Sequence, residues 1–73
     1  MMSIEELIVG DIIKLKGTNN YHKVLAFCNN RTISVAYYTH NNWKYDGNLT
    51  EHQLKAFYDK ILNCPNYLKD NLI

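Results

Sequence analysis

The chain is expected to fold as a small, mostly β (α+β) domain: an antiparallel barrel or bent sheet of three to five strands, with a short N-terminal helical turn and a C-terminal helix. Three observations carry that expectation. Segments of alternating apolar and polar residues recur at roughly ten-residue spacing between Asp11 and Tyr45, separated by Gly- and Asn-rich turn signals. The only long helical periodicity begins after Thr50. The length, 73 residues, makes 1–73 a single small domain. That length excludes an enzyme built around an interdomain cleft, a doubly wound nucleotide fold or a large barrel.

The elements follow in order. Ser3-Ile4-Glu5-Glu6 has the pattern of a capping box, and Gly10 with the β-branched run behind it limits the helix to about one turn. Asp11–Lys16 alternates, with Ile13 and Leu15 on one face and Lys14 and Lys16 on the other, as in a half-buried strand. Gly17-Thr18-Asn19-Asn20 is a turn. In Tyr21–Cys28, Val24, Ala26 and Cys28 share one face and Lys23, Leu25 and Phe27 the other, so both sides are expected to be covered. Asn29-Asn30 is the expected hairpin turn. Thr32–Tyr38 turns Ile33, Val35 and Tyr37 inward and Thr32, Ser34 and Tyr38 outward. After His40-Asn41-Asn42, Trp43-Lys44-Tyr45 starts a short fourth strand that ends before Asp46-Gly47-Asn48.

Thr50 and Gln53 form a second capping box, and Leu49 and Leu54 occupy the positions of a hydrophobic staple. Leu54, Phe57, Tyr58, Ile61 and Leu62 then make one apolar helical stripe, which Pro65 ends at or just before Cys64. Pro65 is placed to open a short terminal helix pinned by Tyr67, Leu68 and Leu72.

Val9-Gly10-Asp11-Ile12-Ile13-Lys14-Leu15-Lys16-Gly17 resembles the opening strand of SH3-like barrels, and in particular that of the YodC-like family of small bacterial proteins. The resemblance covers about residues 9–57. It implies an SH3-like barrel but no particular activity. The chain departs from the family's pattern in its longer C-terminal segment and its Asn-rich loops.

The formal net charge of +1 is a cancellation. Glu5, Glu6 and Asp11 make the first eleven residues acidic, and residues 46–73 carry four acids against three lysines. Between Ile12 and Tyr45 there is no acid, while Lys14, Lys16, Lys23, Arg31 and Lys44 are all basic. Tyr21, Tyr38, Trp43 and Tyr45 lie in the same stretch. Cations neutralise phosphates and exposed rings stack on unpaired bases, so these nine residues form the candidate binding face. The partner expected is single-stranded nucleic acid or an acidic protein surface. The competing reading has Trp43 and two or three tyrosines filling the core, with the lysines serving solubility.

Other chemistry finds less support in the residues. His22, His40, His52, Cys28 and Cys64 lack zinc-ligand spacing, so no metal or cofactor is expected. Cys28 reads as a small buried hydrophobe and Cys64 as a helix-end residue; His22 and His52 read as solvated surface residues. No nucleophile elbow, phosphate loop or paired-carboxylate motif occurs, so the chain is not expected to be an enzyme. Two cysteines, no signal-like N-terminus and no 20-residue apolar run point to a cytoplasmic protein without a membrane partner. Asn, Lys, Ile and Tyr supply 30 residues, a bias toward A/T-rich codons typical of some bacterial and phage genomes. The expected function is therefore a non-catalytic binding module associated with nucleic acid. The alternative is a protein-interaction or inhibitor module of phage or mobile-element type that docks on a larger host protein. An exposed edge strand leaves both a monomer and an edge-paired dimer open.

Overall fold

The computed structural model describes residues 3–61. A turn of 3-10 helix (Ile4–Glu6) is followed by β1 (Ile12–Leu15), β2 (Tyr21–Cys28), β3 (Thr32–Thr39), β4 (Asn42–Thr50), α1 (Glu51–Phe57) and β5 (Tyr58–Lys60). Every strand pairing is antiparallel, and the order across the sheet is β4-β3-β2-β1-β5. The mostly β architecture with an N-terminal turn and a following helix is thus as expected. Barrel closure is not: the sheet stays open, and among the described residues no ladder joins β4 to β5. Closure needs the two end strands to meet in register, and β5 offers only three residues.

Turn chemistry sets the hairpins. Thr39 pairs with Asn42, leaving a two-residue loop in which His40 and Asn41 have φ of 50° and 60°. Two successive left-handed residues match the right-handed twist of the flanking strands, and Asn adopts this region more readily than most residues. The β2–β3 turn uses the same device one residue later than Asn29-Asn30, at Asn30 and Arg31 (φ 61° and 53°). In the β1–β2 loop, the Thr18 hydroxyl donates to the Leu15 carbonyl (2.9 Å) and accepts from the Asn20 amide (3.1 Å).

Two bulges alter the strand faces. In β2 the register with β3 shifts between Val24 and Ala26, so Leu25 is the extra residue. Phe27 then falls opposite Ile33, while Ala26 and Cys28 fall opposite Ser34 and Thr32. The expected common face of Val24, Ala26 and Cys28 is therefore broken. In β4, Asp46-Gly47 stand against Val35 alone, with Gly47 at φ +87°, a region glycine enters without steric cost. This bulge lets β4 run through Asp46-Gly47-Asn48 to Thr50, where a turn was expected.

Both faces of the sheet bury apolar side chains. On one, Ile13, Val24, Ile33 and Val35 pack with Leu7 and Leu54, joined by half-buried Ile4, Leu49 and Tyr58. On the other, Ile12, Ala36 and Trp43 cluster with Tyr21, Tyr38 and Ile61. β1 is accordingly covered on both sides, rather than half-buried, because Ile12 and Ile13 point into different clusters.

Helix α1 starts as its sequence requires: the Gln53 amide donates to Thr50 Oγ1 (3.1 Å) and the Thr50 amide to Gln53 Oε1 (2.9 Å). It ends after Phe57, far short of the expected stop near Cys64. Tyr58 is extended, and Tyr58–Lys60 pair with Leu15–Ile13 at the otherwise open edge of β1. Ladder bonds to that edge outweigh continuation of the helical stripe, which leaves Phe57 exposed. The capping box expected at Ser3 does not form, and the Ile4 amide instead donates to Glu51 Oε2 at 3.1 Å. The expectations for Leu62, Cys64, Pro65, Tyr67, Leu68 and Leu72 lie outside the described residues.

Candidate binding face

Directly opposed residues of antiparallel strands project from the same side of a sheet. The Lys14–Tyr21 and Tyr38–Trp43 pairs therefore define one cross-strand row, with Tyr21 and Tyr38 one step beyond the His22–Tyr37 pair. The next row, on the same face, runs Ile12, Lys23, Ala36, Tyr45. Six of the nine sequence candidates (Lys14, Tyr21, Lys23, Tyr38, Trp43 and Tyr45) thus share the face opposite the Leu54-covered core. Lys16 is exposed just past the end of β1, its amide donating to the Phe57 carbonyl (2.8 Å). Lys44 pairs with Tyr37 and so belongs to the other face.

The six differ in what they offer. Tyr45 is 68% exposed and its hydroxyl donates to Asn48 Oδ1 at 3.4 Å, an atom that also accepts from Ser34 Oγ at 2.9 Å. Tyr21, Tyr38 and Lys14 are half-buried. Trp43 is only 7% exposed and meets Tyr38 edge-on, with centroids 5.1 Å apart. Trp43 is a core residue of the second cluster. Lys23 is 3% exposed, with Nζ 5.0 Å from the Trp43 ring centroid. Among the described residues, neither Lys23 Nζ nor Trp43 Nε1 has a hydrogen-bond partner.

Burial penalises the charged form of Lys23 and pulls its pKa below the usual lysine value. Between that lowered pKa and the ordinary value the unfolded chain binds the extra proton, so stability rises with pH over this window. Lys23→Met keeps the aliphatic stem and removes the desolvated ammonium. In a buffer free of phosphate and carboxylate it is expected to stabilise the fold by about 1–3 kcal/mol near neutral pH and to abolish the alkaline rise. Thermal melts of both proteins at pH 7 and pH 10 check this; an equal or lower melting temperature for Lys23→Met at pH 7 contradicts it.

Arg31 is committed elsewhere. Its Nε and Nη2 donate to the two carboxylate oxygens of Glu51, each at 2.6 Å, and Nη2 also bonds Glu5. The Glu51 amide returns a bond to the Arg31 carbonyl (3.0 Å). Arg31 therefore joins the 3-10 turn, the β2–β3 turn and the start of α1. Its guanidinium pushes the Glu51 pKa down to about 2 and lowers that of Glu5.

His22, expected at the surface, is buried. Its Nε2 lies 3.0 Å from Asp46 Oδ2, and its ring sits between Tyr37 and Tyr58 at centroid distances of 5.3 and 5.4 Å. Burial, and then the Asp46 charge, raise the Tyr58 pKa. Cys28, expected to be buried, is exposed and lies 3.2 Å from Ser34 Oγ, because the Leu25 bulge turns it off the core face. The Cys28–Ser34–Asn48 row beside Tyr45 is missing from the nine sequence candidates; its only sequence signal is the Asp-Gly-Asn that forms the β4 bulge. Among the described residues no three His, Cys, Asp or Glu side chains are grouped to hold a metal ion. No helix there is long and apolar enough to cross a membrane.

No protein-family model, curated protein or solved structure matches this chain.

Proposed function

We propose that the chain is a non-catalytic, cytoplasmic binding module of SH3-like type whose second sheet face associates with single-stranded nucleic acid. One observation carries the reading: the strand register gathers Lys14, Tyr21, Tyr38 and Tyr45 on one face drawn from an acid-free stretch, with Lys16 at its end. Tyr45 is the stacking platform for an unpaired base, while Lys14 and Lys16 neutralise phosphates. Trp43 and Lys23 serve the interior of that face, and Arg31 serves the fold. The SH3-like part of this reading rests on the five antiparallel strands and on the short helical crossover that brings β5 to β1, in a sheet that stays open.

Fluorescence anisotropy with a labelled single-stranded oligonucleotide at low salt tests the reading. Tyr45→Ala is expected to weaken binding by about 1–3 kcal/mol, the range for one stacked base. Lys14→Ala with Lys16→Ala is expected to flatten the log–log salt dependence by about 0.7 for each phosphate that is no longer neutralised. No binding at low salt defeats the proposal.

A second reading, a protein-interaction or inhibitor module, is favoured by a separate surface. Ile8, Val9, Leu25 and Phe27 are exposed where β2 runs past the start of β1. Binding to a protein partner that survives high salt and is abolished in Leu25→Ser or Phe27→Ser would support it.

A further inference from the structure

Among the described residues, Lys23 Nζ and Trp43 Nε1 are both buried donors without an acceptor, and they belong to one cluster, the ammonium lying 5.0 Å from the indole centroid. The ring face offers the ammonium some compensation but takes none of its three N–H donors. The indole N–H is a donor only, so neither group can satisfy the other. An ammonium and an N–H left unpaired in a low-dielectric site are both expensive, and each such group in a native fold calls for an explanation. The surroundings are mainly basic: no acidic residue occurs between Ile12 and Tyr45, and Lys14 stands in the neighbouring row, where Asp59 of β5 pairs with it as the one acid on this face among the described residues.

We propose that Lys23 and Trp43 form a seat for a single phosphate group, which accepts from Nζ and from the indole N–H. The site rests on and deepens the proposed function, because a bound strand supplies that phosphate. The seat lies beneath half-buried Tyr21 and Tyr38, which pack against the cluster and still reach the surface. An oxyanion restores the stability of the charged lysine, so binding and proton uptake at Nζ are coupled: affinity falls as pH rises and the amine becomes neutral.

Trp43 is the single tryptophan of the chain, so its fluorescence reports on the seat directly. The folded protein is titrated at pH 7 with sodium phosphate and with sodium acetate, against sodium chloride at matched ionic strength. A saturable change in Trp43 emission, with a higher melting temperature, is expected for phosphate and not for chloride. Both responses should weaken at least several-fold at pH 10, and both should vanish in Lys23→Met, which keeps the fold and the fluorophore. Preference for acetate over phosphate overturns the assignment to a nucleic-acid strand and points instead to an acidic protein surface. An emission that follows ionic strength alone overturns the proposal, as does an undiminished response in Lys23→Met. Oligonucleotide binding that depends on Tyr45 and Lys14 without any oxyanion response removes the seat and leaves the proposed function standing. An oxyanion response without oligonucleotide binding does the reverse.

Discussion

Trp43→Ala is expected to destabilise the domain by about 3–5 kcal/mol, the range for truncating a buried tryptophan. A domain of this length holds roughly 4–11 kcal/mol in all, at the usual stability per residue. The variant should therefore melt more than about 10 °C lower, or be largely unfolded at 37 °C. Three effects combine. The second cluster loses its largest member, leaving Ile12 and Ala36 beside a cavity. Tyr38 loses the ring that meets it edge-on. Lys23 loses the aromatic face over its ammonium, which leaves an uncompensated charge in a buried position. Trp43→Phe separates these contributions in part, because it keeps one aromatic ring beside Tyr38 and Lys23 while discarding the second fused ring and an N–H that has no partner among the described residues. It should cost far less than Trp43→Ala in a urea melt. A Trp43→Ala protein that melts within a few degrees of the parent would place Trp43 back among the surface binding residues.

Local pattern made the bounds of β2 and the faces of the first half of β3 legible, because turn residues and period-two alternation are written in neighbouring residues. Ile33 and Val35 are buried and Thr32 and Ser34 are not, as that alternation requires. The start of α1 was legible for the same reason: Thr50, Gln53, Leu49 and Leu54 make their contacts within five residues of one another. β5 was not, since Tyr58 and Ile61 continue the helical stripe and only the open edge of β1, more than forty residues earlier, draws the chain into a strand. The site divides along the same line. That Tyr45 shares a face with Trp43 follows from alternation, but that Lys23 joins them depends on the registers of β2, β3 and β4, and its burial on a ring two strands away. Arg31 read as a free cation at a turn because Glu51 and Glu5 lie 20 and 26 positions distant. The Leu25 bulge moved Cys28 to the surface, and a single inserted residue leaves no mark on composition or periodicity. Long-range partnering was beyond the reach of local pattern, and it removed two of the five cations from the exposed binding face: Arg31 to a carboxylate cluster and Lys23 to the interior.

Leu54→Ala should cost about 2–5 kcal/mol, and its effects should extend beyond α1. A seven-residue helix has no independent stability in water. α1 persists because its capping box fixes one end and Leu54, fully buried, fixes its face to Ile13, Val24, Ile33 and Val35. Leu54 is the only buried residue of the helix, so no neighbour can take over its role. The helix also delivers the chain to β5. Lys16 N–H donates to the Phe57 carbonyl at 2.8 Å, and Ile61 N–H to the Ile12 carbonyl at 3.0 Å, one bond at each end of the β1–β5 ladder. Loosening α1 lengthens the closed loop between β4 and β5 and removes the anchor for both. Amide exchange at Lys16 and Ile61 should therefore accelerate in Leu54→Ala more than exchange in the β2–β3 ladder. Phe57→Ala is the control: its ring is 54% exposed, and removing it should move stability by no more than about 0.5 kcal/mol. Equal effects of the two truncations would mean that α1 is held by its cap alone and that β5 docks on β1 independently of the helix.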